Sequence, residues 1–93
     1  MNRQLDVDQI DSLENDELSP ELVERTVAEV WQSVFNLPDI DRDANFFELG
    51  GNSLLGMDLT ELLATRLGVE ISVLTLFQNP SIREMTAIIS VAQ

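Results

Sequence analysis

Cysteine, histidine and lysine are all missing from this 93-residue chain. Without cysteine there is no disulfide, no thiolate metal site and no thiol nucleophile. Without histidine the usual general base near neutral pH is gone. Positive charge is scarce: five arginines face 17 acidic residues, for a net charge of -12. Such a chain repels nucleic-acid phosphates and anionic membrane surfaces, so neither is expected as a partner. Basic patches on other proteins are, with charge acting mainly on encounter and orientation. No signal-peptide pattern is seen and no apolar run approaches a membrane span, which leads us to expect a soluble, cytoplasmic protein. What remains is 44% hydrophobic, enough for one small globular domain with a modest core.

The chain divides unevenly. Residues 1–18 hold six acids, one arginine and few apolar side chains, and read as an acidic, flexible N-terminal tail or linker. Residues 19–92 read as the folded domain. Ser19 is a good N-cap, Pro20 suits the first helical position and Glu21 complements the positive end of the helix dipole. Leu22, Val23, Val27, Val30, Trp31, Val34 and Phe35 then recur at helical spacing up to about Asn36. A long loop runs from Asp39 to Asn52, and its Phe46 and Phe47 are expected to fold inward and pin it to the helices. A second helix is expected from Ser53 to about Leu67, stopped by Gly68, with Leu55, Leu59, Leu62, Leu63 and Leu67 as its buried stripe. Gly56 inside that helix costs about 1 kcal/mol relative to alanine and implies that something approaches closely there. Ser72 can cap a short turn over Val73–Gln78 that points Leu76 and Phe77 inward. Ser81 and Glu84 form a capping box for a last helix whose apolar face is Ile82, Met85, Ile88 and Ile89. The fold class is therefore all-α: three main helices plus a short third one, with a long loop between helices 1 and 2.

The stretch "FFELGGNSLLG" sets Ser53 among glycines at the start of the second helix. A hydrolase nucleophile elbow needs G-x-S-x-G after a strand, whereas Leu55 stands where the last glycine belongs and no strand precedes. Nor does the chain hold a histidine or lysine to activate the hydroxyl, so self-contained serine catalysis is set aside. Asp39, Asp41 and Asp43 alternate as in a calcium loop, but Ala44 and Gly50 occupy the positions that require glycine and glutamate. No metal site is expected. Two readings of Ser53 stay open. It is an N-cap, which suits its residue type but leaves the glycine pair unexplained. Alternatively it is an attachment point that Gly50 and Gly51 keep accessible while letting the backbone turn tightly, at a helix start whose free N–H groups favour a phosphate.

"NFFELGGNSLLGMDLTELLATRLG" resembles the carrier-protein signature F-F-x-L-G-G-x-S-L leading into a second helix, and "VEISVLTLFQNPSIREMTAII" resembles the family's later L-F-x-x-P-[ST]-I pattern. The likeness spans about Leu18 to Val91. It implies a small four-helix carrier bundle, usually monomeric and not itself an enzyme. A phosphopantetheinyl transferase would attach 4′-phosphopantetheine to Ser53, with Gly51, Asn52 and Leu54 around the attachment point. The arm would hold aminoacyl or peptidyl thioesters and supply the thiol that the chain lacks. Asn52 leans towards peptidyl carriers of nonribosomal peptide synthetases. Asp58 and Glu61 look more like acyl carriers of polyketide synthases. Implied partners are adenylation, condensation, ketosynthase and tailoring or thioesterase domains, met through Leu54, Met57, Asp58 and Glu61. A third reading, from another class, is an unmodified helical interaction module in which Ser53 is merely a cap.

Overall fold

The computed structural model describes residues 19–92, and the expected acidic tail lies outside them. Four helices follow one another: α1 (Pro20–Phe35), α2 (Ser53–Leu67), α3 (Val73–Gln78) and α4 (Ile82–Ala92). No strand occurs among the described residues. The β-branched run near Ile71 lies in the irregular link between α2 and α3, where no second strand could pair with it.

Each helix begins where a short polar side chain can take up an orphan backbone N–H. Ser19 Oγ accepts from Leu22 N at 3.3 Å, and Ser72 Oγ accepts from Thr75 N at 3.0 Å. At α4, Ser81 Oγ accepts from Glu84 N at 3.1 Å while donating to Glu84 Oε1 at 3.2 Å. The capping box is thus closed hydroxyl to carboxylate, because the Ser81 N–H is already held by Asn79 O at 2.9 Å. Helix ends follow the same accounting. Asn36, at φ 58°, stops α1, with its own N–H on Ser33 O and the Leu37 N–H on Gln32 O. Gly68, at φ 70°, stops α2.

α1 lies between α2 and α4, and α3 rests on α2. Val23, Val27, Val30 and Trp31 of α1 meet Leu59 and Leu63 of α2, Leu76 of α3, and Ile82, Met85 and Ile89 of α4 in one buried cluster. Full burial of each such side chain contributes about 1.5–3 kcal/mol. Ile40 and Phe46 from the long loop complete it. The loop is fastened to the start of α4 by Phe46 N on Pro80 O at 2.7 Å and Arg83 N on Arg42 O at 3.0 Å. One ion pair reinforces that seam, Arg83 with Asp43, and a second, Arg42 with Glu24, ties the loop to α1, each at 2.7 Å.

Three residues expected in the core lie outside it. Phe47 is 46% exposed, since only one of two adjacent loop aromatics can turn inward and Phe46 takes that place. Leu62 is 41% exposed because the inward face of α2 is centred on Gly56, Leu59, Thr60 and Leu63, leaving Leu62 at its edge. Ile88 is likewise exposed, on the outer side of α4 from Met85 and Ile89. Gly56 is buried for the reason its sequence position implied, and the approaching element is α3. A β-carbon there would lie 3.3 Å from both Leu76 Cδ2 and Phe77 Cε1.

Candidate functional site

The site begins with a short turn in the long loop. Asn45 Oδ1 accepts the backbone N–H groups of Phe47 and Glu48, at 2.8 and 3.2 Å, and so starts one helical turn. That turn closes when Gly50 N donates to Phe47 O at 3.0 Å and Gly51 N to Phe46 O at 2.9 Å. This nested pair, with Gly50 left-handed at φ 101°, is the Schellman way of ending a helix. Asn52 then opens α2 at once. Its backbone is extended and its Oδ1 accepts from Leu55 N at 2.9 Å.

Asn52, then, caps α2, and Ser53 stands at the first helical position, exposed. No hydrogen bond within the described residues engages its hydroxyl. The reading of Ser53 as a cap is thereby corrected: an asparagine one residue earlier has the extended backbone and the reach that capping demands. The first turn of α2 carries no acidic residue. Nothing there offsets the positive end of the helix dipole or competes for the backbone N–H groups of Ser53 and Leu54. An oxyanion joined to the Ser53 oxygen would meet a favourable field, and a phosphodiester fits this donor set. With no neighbouring base, the arrangement can offer a hydroxyl but cannot activate it.

The glycine pair makes the tight turn that its sequence position implies, each glycine for a different reason. Gly50 supplies the positive φ, and a side chain there would meet open space. Gly51 lacks positive φ but lies against the Phe46 ring, so that a β-carbon would fall within 2.6 Å of Phe46 Cδ2, Cε2 and Cζ.

Leu54 and Met57 are exposed, at 68% and 56%, and Asp58 and Glu61 are exposed with them. They do not share one face. Met57 and Glu61 line a groove of about 650 Å³ between α2 and the link into α3, bounded across it by Ile71 and Thr75. Asp58 lines a different groove, of about 560 Å³, between α1 and α2 beside Val34 and Leu62, with Glu61 on the ridge between the two. Thr60, three residues after Met57, is buried, with its hydroxyl donating to Gly56 O at 3.0 Å. The sequence reading missed two exposed apolar residues. Phe47 packs against Phe77 at 5.2 Å between ring centres, with the rings tilted, and Phe77 borders Gly56 one turn beyond Ser53. Leu74 projects from α3, 62% exposed. Neither could be read from periodicity, since one lies in a loop and the other in a helix too short to have a face.

Charge is unevenly neutralised. Arg42, Arg66 and Arg83 are each committed to an ion pair, with Glu24, Glu29 and Asp43. Asp58 and Glu61 have no such partner among the described residues. The hydrogen bond from Arg83 holds the Asp43 carboxyl below the ordinary aspartate range. No group of three potential metal ligands occurs among the described residues, and no helix there is long and apolar enough to cross a membrane.

The family model described as a phosphopantetheine attachment site matches residues 25–89. Surfactin synthase subunit 1 of Bacillus subtilis (strain 168) is 36% identical over 70 residues, which cover 75% of this chain and 2% of that protein. The chain therefore spans only a small fraction of the length of such curated relatives. A solved structure described as a non-ribosomal PCP domain is 32% identical with a TM-score of 0.65, covering 71% of this chain and 84% of that one. BlmI, a type-II acyl carrier protein from Streptomyces verticillus, superposes with a TM-score of 0.77 over 85% of this chain and 95% of its own; at 20% identity it speaks for the fold alone.

Proposed function

The chain belongs to the phosphopantetheine attachment-site family, as a carrier domain of the type found in nonribosomal peptide synthetases, and we propose that Ser53 is the residue that carries the 4′-phosphopantetheine. One observation carries this assignment. Among the small polar residues at the start of α2, Asn52 is spent on the cap, while the Ser53 hydroxyl is exposed and unengaged. Attachment forms a bond from Ser53 Oγ to the phosphorus of coenzyme A that bears the pantetheine. The bond to the departing adenosine 3′,5′-bisphosphate breaks, and the hydroxyl proton goes to a base. That base is assigned to the phosphopantetheinyl transferase, because the chain has no histidine and no side chain among the described residues hydrogen-bonds to the Ser53 hydroxyl. When bound, the arm supplies a terminal thiol that holds an acyl group as a thioester.

In this reading the chain's own residues bind and orient but do not catalyse. Asn52 fixes the first turn, and the backbone N–H groups of Ser53 and Leu54 would be the donors available to the phosphodiester. Leu54, Met57 and Phe47 offer apolar contacts to partner enzymes around the attachment point, and Asp58 and Glu61 steer basic surfaces toward it. The tether raises the local concentration of the loaded acyl group at each partner site. The partners are adenylation domains that load aminoacyl groups, condensation domains that extend them and thioesterase or tailoring domains that finish them. The exposed, unpaired Asp58 and Glu61 favour a second reading, an acyl carrier of a polyketide or hybrid assembly line served by a ketosynthase. Loading with aminoacyl-adenylate by an adenylation domain, against malonyl transfer by an acyltransferase, separates the two.

The test of the assignment is intact mass after incubation with coenzyme A and a promiscuous phosphopantetheinyl transferase. The folded protein is expected to gain one phosphopantetheine, and Ser53→Ala none. A folded wild type that gains nothing, or a Ser53→Ala variant that still does, would sink the assignment and favour an unmodified interaction module.

A further inference from the structure

Phe46 is enclosed by the rings of Trp31, Phe35, Phe47 and Phe77, at 5.7, 5.4, 5.3 and 6.2 Å between centroids, and is wholly buried. Its backbone is held at both ends, the N–H by Pro80 O at 2.7 Å and the carbonyl by Gly51 N at 2.9 Å. One residue is therefore fixed simultaneously to α1, to α3 and to the junction before α4. On one side of its ring lies Gly51, so close that three ring carbons leave no space for a β-carbon. Gly51 does not need to be glycine for its backbone angles, since the positive-φ glycines are Gly50 and Gly68. It needs to be glycine because of Phe46. Between Gly51 and Ser53 stands only Asn52, whose extended backbone and side-chain cap remove any slack.

We propose that Phe46 is a positioning residue for the modification of Ser53, acting through its contact with Gly51: the core sets where the hydroxyl stands. The inference rests on Ser53 being the acceptor. Packed interiors transmit small displacements because they have little free volume to absorb them. A β-carbon on residue 51 must push the ring or itself by roughly 1 Å to reach ordinary contact, and the ring is boxed in, so the start of α2 moves. A misplacement of that order at a reacting centre costs about 100-fold in rate. The loss falls on turnover, because the groups that meet the transferase surface are unchanged.

The experiment follows modification of the whole chain by the transferase, with intact mass as readout, at a temperature where circular dichroism shows each variant folded. Gly51→Ala is expected to lower kcat at least tenfold while KM for the carrier stays within about threefold. In a Phe46→Leu background, which vacates the ring edge, adding Gly51→Ala is expected to cost less than threefold more in kcat, the coupling of two residues in contact read on variants that are all folded. Val23→Ala, a loss of buried volume about 12 Å up α1 from Trp31, is the matched control and is expected to be modified at the wild-type rate. Should Gly51→Ala not fold, Phe46→Leu alone carries the test: slower turnover with shifted Ser53 and Leu55 amide resonances supports the inference, and neither change overturns it. Equal kcat for wild type and Gly51→Ala, or equal losses for Gly51→Ala in both backgrounds, also overturns it. Those outcomes leave Ser53 as the acceptor. Failure of the wild type to be modified at all removes the acceptor reading itself.

Discussion

Asn52 Oδ1 accepts the Leu55 backbone N–H at 2.9 Å, three residues apart across the first turn of α2, with the exposed Ser53 between them. Structural duty and chemical duty are thereby divided between adjacent residues. Asn52→Ala is expected to cost about 1 kcal/mol of stability, the usual loss for an N-cap side chain. Ser53→Ala removes a hydroxyl that holds nothing and is expected to stay within about 0.5 kcal/mol of wild type. Urea denaturation of both variants checks this, and equal losses would return the capping role to Ser53.

Gly56 sits where α3 rests on α2. Alanine there gains about 1 kcal/mol of helix propensity. Its β-carbon meets Leu76 and Phe77 at 3.3 Å, however, close enough that those side chains must give by a few tenths of an ångström. The two effects offset, and Gly56→Ala is expected to stay within about 1 kcal/mol of wild type, given that range for propensity. Gly56→Leu has no such latitude and is expected to lose about 1–3 kcal/mol by overpacking. Hydrogen exchange should place the loss on Val73–Gln78, the element displaced.

These two sites also mark what the chain's pattern reveals and what it conceals. Helix bounds were legible because their signals are local: Ser19 with Pro20, Ser81 with Glu84, Gly68 after a leucine stripe. Gly56 announced a close approach without naming α3, since the approaching element lies 17 or more residues away in sequence. Leu62 read as core because periodicity gives a helix one apolar face but not the direction of its neighbours. Phe47 failed for a related reason. Two adjacent loop aromatics are alike in sequence, and only the space left between α1 and α3 decides which turns in. Ser53 itself stood out at once, yet its freedom from capping depended on the backbone angles of Asn52.

The Asp43–Arg83 pair gives the chain a dependence on acid. Its hydrogen bond lowers the Asp43 pKa and raises that of Arg83, which stays charged throughout the working range. A carboxyl lowered in the folded state adds stability at any pH above the ordinary aspartate value, about 3.9, and loses it as pH falls through the lower folded value. Asp43→Asn is therefore expected to be slightly less stable than wild type near pH 7 and to show a flatter acid limb below about pH 4. Both residues are exposed, so the difference should be small and shrink further in about 1 M salt. Thermal melts across pH at two ionic strengths measure it, and an acid limb unchanged by Asp43→Asn would remove the pair from the explanation.

Leu54 and Met57 project beside Ser53 from neighbouring faces of α2, and their exposure separates binding from folding. A side chain 68% or 56% in water contributes little to the core, so Leu54→Ala and Met57→Ala should each melt within about 0.5 kcal/mol of wild type. An apolar residue that anchors a partner costs more than about 1 kcal/mol when truncated, which corresponds to more than about fivefold in kcat/KM for loading by an adenylation domain. Asp58→Asn and Glu61→Gln should behave differently, lowering the rate mainly at low ionic strength because screened charges act on encounter. Met57 and Asp58 line different grooves, so a partner seated between α2 and α3 should respond to Met57→Ala and hardly to Asp58→Asn. One that straddles the Glu61 ridge should respond to both, and the loading kinetics of the two single variants and their double report which side of α2 that partner grips.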